Sequence, residues 1–165
     1  MAENHLATYL NDHLSGSEVA LGLLEHINRM HAGESVARFA TELRDEITAD
    51  RHELESLMAR LEIAESRPRK AAAWMSEKLT ELKLRMDDRS GGPLQQLEIW
   101  DALSIGIEGK RLLWRALAEA ATLRSELMGP DYHLLEGRAE DQRRNVEKVR
   151  LEAAKEALGP IPSTG

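Results

Sequence analysis

Apolar residues recur at spacings of three and four along most of this chain, which is the period of an α-helix with one buried face. The clearest row contains Phe39, Leu43, Ile47, Leu54, Leu57 and Leu61. Period-two alternation, Asn-Gly turns and runs of β-branched residues, which are typical of strands and hairpins, are missing from the sequence. The pattern therefore predicts an all-α protein.

Glycine and proline divide this pattern into five predicted helices, because both residues interrupt helical periodicity. The breaks fall at Gly33, at Ser66 with Pro68, at the cluster 90–93, at 129–131 and at Gly159, and Ser35 is a predicted cap for the second helix. Four of the helices are long, whereas the third, over about 68–86, is short. We expect one helical domain over residues 1–159, followed by a tail over 160–165.

Each of the four long helices carries polar residues midway along its apolar row. These residues are His13, Ser17, Glu46, Asp50, Asp101, Ser104, Glu108, Arg138 and Gln142. Buried polar atoms are costly unless they are hydrogen-bonded, paired or bound to a metal. Polar residues at matching depth therefore predict a buried polar layer across the bundle.

Two kinds of layer fit these residues. In the first, Asp50 and Glu108 are neutralised by Arg138, and His13, Ser17 and Gln142 complete the hydrogen bonds, since an arginine is a suitable partner for a carboxylate. In the second, a metal ion is held by His13, Glu18, Glu46, Asp50 and Glu108. The chain has no cysteine, so any metal must be bound by carboxylate and imidazole, which favours hard or borderline ions.

Composition restricts the class of protein further. Among 165 residues, 42% are hydrophobic and 31% are charged, which is typical of amphipathic helices and too apolar for a disordered chain. The net charge of -7 argues against a general affinity for nucleic acid. No stretch approaches the roughly 20 apolar residues of a membrane span, and the N-terminus lacks the basic and apolar regions of a signal peptide. We expect a cytoplasmic protein that could form a homo-oligomer such as a dimer; its protein partner stays open.

The order of two long helices, a short one and two more long helices resembles the ferritin-like superfamily, in which two helical hairpins are joined by a long crossover. The resemblance implies a four-helix bundle with an additional short helix in the crossover between the second and third long helices. It also implies a di-iron site built from two glutamates and two Glu-x-x-His pairs.

That ligand set is incomplete in this sequence, because Glu-x-x-His does not occur. By the resemblance, Glu18 stands for the carboxylate of the first helix and Glu108 for that of the third long helix. The second helix has Asp50-Arg51-His52-Glu53 without the required spacing, and Arg143 stands where the last helix should supply an imidazole. The resemblance is therefore to a bundle that lacks the full metal site.

The segment between Arg67 and Arg89 differs in charge from the rest of the chain. It carries seven lysines or arginines against four acidic residues, which gives +3 and leaves -10 for the remainder. Such a basic amphipathic segment either lies across its own acidic bundle or docks on a partner or membrane.

Two function classes follow for the whole chain. One is a non-enzymatic bundle with no cofactor, and the other is a carboxylate-bridged iron or manganese protein with oxidoreductase activity.

Overall fold

The structure is a computed structural model that describes residues 5–66 and 92–160. It contains four long α-helices: α1 (His5–Met30), α2 (Ser35–Arg60), α3 (Pro93–Ala121) and α4 (Tyr132–Leu158), with a short 3-10 helix at Ser125–Leu127. No strand occurs among these residues. The all-α prediction is therefore confirmed for the described part of the chain. The predicted short helix over 68–86, the basic segment and, apart from Pro160, the predicted tail lie outside the described residues.

The helix ends follow from the residues at the breaks. Gly33 and Gly129 have φ values of +89° and +132°, a region that favours glycine because it has no Cβ. Pro93 is the first residue of α3, where its missing N–H costs nothing. The Asp131 side chain caps α4 by accepting a hydrogen bond from the Leu134 N–H. The expected cap Ser35 is instead the first helical residue of α2, and Glu34 precedes it.

The four helices form two hairpins, α1 with α2 and α3 with α4. The hairpins meet where α1 packs on α3 and, more loosely, where α2 faces α4. Near the beginning of α1, the Ser66 N–H donates to Asn11 Oδ1 at 2.7 Å. Beyond the other end of α1, His31 Nε2 lies 2.9 Å from Oε1 of Gln96, in the first turn of α3. The connection between α2 and α3 therefore joins opposite ends of the bundle, about 30 Å apart at 1.5 Å per helical residue.

The apolar core falls into two clusters, one in each half of the bundle. Trp100 and Ile107 belong to the cluster that contains the end of α1 and the beginning of α2. Trp114 and Tyr132 belong to the other, which contains Leu10 and Leu57. Both tryptophans are fully buried. The residues between the two clusters are the place where a polar layer could lie.

One strained residue follows the end of α2 and gives a test of local stability. Glu62 has φ of +56°, and the bonds Glu62 N–H to Ala59 O and Ile63 N–H to Met58 O close a Schellman motif around it. A left-handed conformation costs an L-residue about 1–2 kcal/mol, and glycine avoids this cost. Glycine also gives the unfolded chain more conformational freedom, which destabilises the folded state by a smaller amount. We therefore expect Glu62→Gly to raise the free energy of unfolding by about 0.5–1 kcal/mol. Urea denaturation measures this, and the same change at Glu65, which has no positive φ, should not stabilise the protein.

Candidate functional site: a buried ionic layer

Asp50 is the centre of a polar cluster that separates the two halves of the core. It lies on α2, one turn from Ile47 and one from Leu54, and only 1% of it is exposed. Its Oδ2 lies 2.5 Å from Lys110 Nζ on α3 and accepts a hydrogen bond at 3.1 Å from Gln142 Nε2 on α4. Its Oδ1 lies 2.6 Å from Arg138 Nη2, also on α4, as an ion pair without an aligned hydrogen bond. We call Asp50, Lys110, Arg138 and Gln142 the ionic layer.

Lys110 is the member of this layer that the sequence reasoning missed. It donates to both Asp50 Oδ2 and Gln142 Oε1, and so links three helices. The signal was present in the spacing, because the buried row of α3 reads Trp100, Leu103, Ile107, Lys110, Trp114 and Leu117 at steps of three and four. Lysine is most often exposed, so the helical spacing alone did not place Lys110 in the layer.

The ammonium group of Lys110 is held in an unusual environment. Burial lowers its pKa below the ordinary value of 10.5, while the nearby charges of Asp50 and Glu46 act in the opposite direction. Arg138 lowers the pKa further, because a second positive charge lies close by. The lysine therefore depends on Asp50 for its charge, and Asp50 depends on two cations for its burial.

Several residues predicted for the layer lie elsewhere. Glu46 is exposed, and so is Glu18 from the predicted metal set. Asp101 and Glu108 face the side of α3 that meets α4, away from the buried row. Asp101 pairs with Arg150 at 3.1 Å, and Glu108 pairs with Arg111 at 2.8 Å. The prediction of these acids in the buried layer is therefore corrected: they belong to surface ion pairs along the α3–α4 contact.

The α1 residues of the predicted layer also have other partners. The Ser17 hydroxyl donates to Leu14 O at 2.6 Å and accepts from Arg51 Nη1 at 2.9 Å. His13 is partly buried, and its ring packs edge-on against Tyr9 at 4.7 Å between centroids. Ser104 is partly buried on α3. Of the nine predicted residues, the structure thus brings Asp50, Arg138 and Gln142 together.

The five candidate metal ligands are not brought together. No group of three His, Asp or Glu side chains suited to a metal ion occurs within residues 5–66 and 92–160. The most buried carboxylate, Asp50, has a lysine and an arginine at its oxygens instead. Two cations at that place oppose the approach of a metal ion by electrostatic repulsion.

An open groove adjoins the ionic layer between α2 and α4. Its volume is about 720 Å³, and Gln142 lines the end nearest to the layer. Apolar side chains line the groove, chiefly Val36, Phe39, Leu43, Trp100, Val149 and Ala153. Five exposed glutamates border it, namely Glu34, Glu42, Glu46, Glu152 and Glu156. We call this feature the α2–α4 groove.

Comparison of the chain with protein-family models, with curated proteins and with solved structures gives no match. Among the described helices, none combines the length and the apolar character that crossing a membrane requires. The ionic layer and the groove are therefore the two features that bear on function.

The partly buried His13 gives a pH test of this end of the bundle. Burial lowers its pKa below 6.5, and the charge of Asp12 offsets only part of the effect. Below about pH 6.5 the unfolded chain then binds a proton more readily than the folded one, so stability is lost as the pH falls. We expect the loss in unfolding free energy between about pH 7.5 and pH 5.5 to be smaller in His13→Gln than in the wild type. His52→Gln, at an exposed position, serves as the control; equal losses in the wild type and His13→Gln would contradict the expectation.

Proposed function

We propose that this protein is a non-catalytic helical bundle that works by binding, with an ionic layer in the position where a ferritin-like protein would hold two metals. The observation that carries the proposal is the pairing of Asp50 with both Lys110 and Arg138. A carboxylate that is 1% exposed and occupied at both oxygens is poorly placed to act as a base or a ligand. The layer instead supplies a structural property, namely the alignment of α2 with the α3–α4 hairpin.

Alignment follows from the cost of burying unpaired charge. A slip of α2 by one turn against α3 and α4 would place Ile47 or Leu54 opposite Lys110 and leave Asp50 in apolar surroundings. Buried polar groups can specify register in this way, because only one arrangement pairs them. In the proposed function, the ionic layer therefore fixes the bundle, and the surface carries the activity.

The competing hypothesis is an iron or manganese oxidoreductase. For Asp50 to bind such a metal, the ion would have to displace Lys110 and Arg138 from its oxygens. Glu108 would have to leave Arg111 and Arg143, which lie 2.8 and 3.7 Å away. The acidic composition and the resemblance in helix order support this hypothesis, whereas the local charges oppose it.

Elemental analysis separates the two hypotheses. Protein purified without a histidine tag is incubated with Fe(II) or Mn(II), desalted and analysed beside Asp50→Asn and Glu108→Ala. We expect no stoichiometric metal in the wild type. Stoichiometric iron or manganese that is lost in both variants would overturn the proposal and favour the oxidoreductase. Glu53→Gln, which removes an exposed acid away from Asp50 and Glu108, is the matched control.

A further inference from the structure

A row of exposed apolar side chains follows the side of α3 that is turned away from the core. These side chains are between 48% and 90% exposed, and they belong to Leu94, Ile105, Leu112 and Leu123. The separations are 11, 7 and 11 residues, and each returns to within about 20° of the same direction at 3.6 residues per turn. Leu123 continues the course of α3, because Thr122 has helical φ and ψ and the Leu123 N–H donates to Ala120 O. We call these four residues the outer row; within residues 5–66 and 92–160, no element covers it.

The outer row is symmetric. Its spacing of 11, 7 and 11 reads the same from either end, and its centre lies at residues 108–109. In an antiparallel pair of α3 helices with a two-fold axis at that centre, Ile105 would face the partner's Leu112, and Leu94 would face the partner's Leu123. Two-fold interfaces are self-complementary in this sense, since residue i contacts residue j and j contacts i. A partner of unrelated sequence has no need of such symmetry.

Small residues lie along one side of the outer row with the same centre. They are Ala102, Gly109 and Ala116, each seven residues from the next. In the antiparallel pair Ala102 would face the partner's Ala116, and Gly109 would lie at the axis. A Cβ on Gly109 would meet no atom within 4 Å in the described part of the chain, so packing within that part does not require glycine here. Because glycine weakens a helix relative to alanine, its position is better explained by close approach of a second backbone.

Opposite charges lie along the other side of the row. Asp101 and Arg115 are equally far from residue 108, so the antiparallel pair would bring Arg115 to the partner's Asp101 twice. Arg115 is exposed, and the Asp101 side chain is partly exposed beside Arg150. Glu108, near the axis, is paired with Arg111 of its own chain at 2.8 Å, so its charge does not oppose the pairing. Complementary charges of this kind fix orientation and register.

From these three patterns we propose that the outer row of α3 is the interface with a second copy of this chain, in an antiparallel two-fold dimer. At 1.5 Å per residue the row is about 44 Å long, and a helix is about 10 Å wide, so the dimer buries about 440 Å² on each protomer. The total of about 900 Å² lies at the low end for specific interfaces, which predicts a reversible dimer with a micromolar dissociation constant. The inference goes beyond the proposed function, because it does not depend on what the ionic layer does.

Sedimentation velocity of the full-length protein tests for the dimer. A monomer should convert to a dimer as the concentration rises through the micromolar range. Ile105→Glu should weaken the dimer about tenfold or more, because it places a charge against the partner's Leu112. Leu134→Glu adds the same charge at an exposed leucine of α4, and it should leave the dissociation constant within about twofold. Circular dichroism of both variants checks that each is folded.

Charge reversal tests the register. Arg115→Asp places two acids opposite each other and should weaken the dimer. Adding Asp101→Arg to the same chain restores opposite charges across the interface and should recover most of the affinity. A double variant that dimerises no better than Arg115→Asp would contradict the antiparallel register.

Disulfide cross-linking gives a second test that does not depend on a destabilising substitution. The chain has no cysteine, so each introduced thiol is unique. When Ile105→Cys and a tagged Leu112→Cys chain are mixed and oxidised, the mixed disulfide should form faster than either chain links to itself. Leu134→Cys is the control and should cross-link slowly. Faster linkage of like chains would indicate a parallel pair and overturn the proposal.

The remaining outcomes assign the outer row to another occupant, and each overturns the proposal. A protein that stays monomeric throughout the micromolar range has no such interface. If Ile105→Glu also lowers the free energy of unfolding of that monomer, the row is covered by residues 67–91 of the same chain. A dimer that tolerates Ile105→Glu has its interface elsewhere. The metal analysis is independent of these measurements, so failure of the dimer and failure of the non-catalytic assignment are distinguishable.

Discussion

Asp50→Leu should lower the free energy of unfolding by about 3–5 kcal/mol, the usual cost of removing one partner of a buried ion pair. The free energy is lost because the substitution leaves two cations without their carboxylate. Lys110 is only 15% exposed and depends on Asp50 for its charge, so in the variant it must either carry an unpaired buried charge beside the guanidinium of Arg138 or lose its proton. Chemical denaturation of the wild type and the variant at neutral pH measures the difference.

Replacing the lysine as well should recover most of this loss. In Asp50→Leu with Lys110→Met, an apolar pair fills the space between the two core clusters, and well-packed apolar replacements of buried ion pairs are often neutral or stabilising. Arg138→Met alone should cost less than about 1 kcal/mol, because its side chain is 35% exposed and Lys110 still neutralises Asp50. A double variant no more stable than Asp50→Leu, or an Asp50→Leu variant as stable as the wild type, would contradict the role of the layer.

The contrast between these variants also bears on the function. If the layer fixes register, the double variant should be stable but less uniquely packed, with broader side-chain resonances in its NMR spectrum. A layer that contributed only stability would leave the packing as sharp as in the wild type. Buried polar groups specify structure in some helical proteins and not in others, so the spectrum decides the case.

The sequence predicted the four long helices well because their limits depend on local chemistry. Gly33, Pro93 and Gly129 interrupt the helical pattern by their own backbone preferences, whatever surrounds them. Asp50 was equally visible, since apolar residues lie one turn away on either side of it. These features need no knowledge of how the helices pack, and they are the ones that the structure reproduces.

The partners of Asp50 could not be predicted from the sequence in this way, because α3 has two rows of residues at helical spacing and either could be the buried one. The row with Asp101, Ser104 and Glu108 looked like the continuation of a polar layer, yet it faces the α3–α4 surface, where Arg150 and Arg111 pair with its acids. Helical spacing defines the rows, but only packing against α1 and α2 decides which of them is buried. Lys110 was the signal in the sequence for which row is buried, because it lies three residues after Ile107 and four before Trp114.

Asn11 illustrates a third limit, since its partners lie far away in sequence and outside any periodic pattern. It is 3% exposed, and its side chain donates to Ala7 O at 2.9 Å and to Ala64 O at 3.2 Å. Its Oδ1 accepts the Ser66 N–H at 2.7 Å. The Asn11 amide thus attaches the first part of α1 to the chain just after α2, where the connection to α3 begins.

Asn11→Ala should lower the free energy of unfolding by about 1–3 kcal/mol, because it leaves the Ser66 N–H and the Ala64 carbonyl without this partner. Amide hydrogen exchange at Ser66 should become faster in the variant, while exchange in the middle of α3 should change only as far as global stability does. Asn11→Asp keeps an acceptor for Ser66 but loses both donors, so it should retain protection at Ser66 better than Asn11→Ala.

Asn28→Ala is the matched control for the loss of an asparagine from α1, since within the described part of the chain the Asn28 side chain accepts one exposed hydrogen bond, from Thr41 at 3.3 Å. Its effect should stay within about 0.5 kcal/mol. If Ser66 exchanged equally fast in the wild type and Asn11→Ala, the amide would not hold this segment. The beginning of the connection would then have to be positioned by the Schellman motif around Glu62 instead. Because that motif and Asn11 act on adjacent residues, Glu62→Gly combined with Asn11→Ala should show a non-additive effect if both restrain the same stretch of chain.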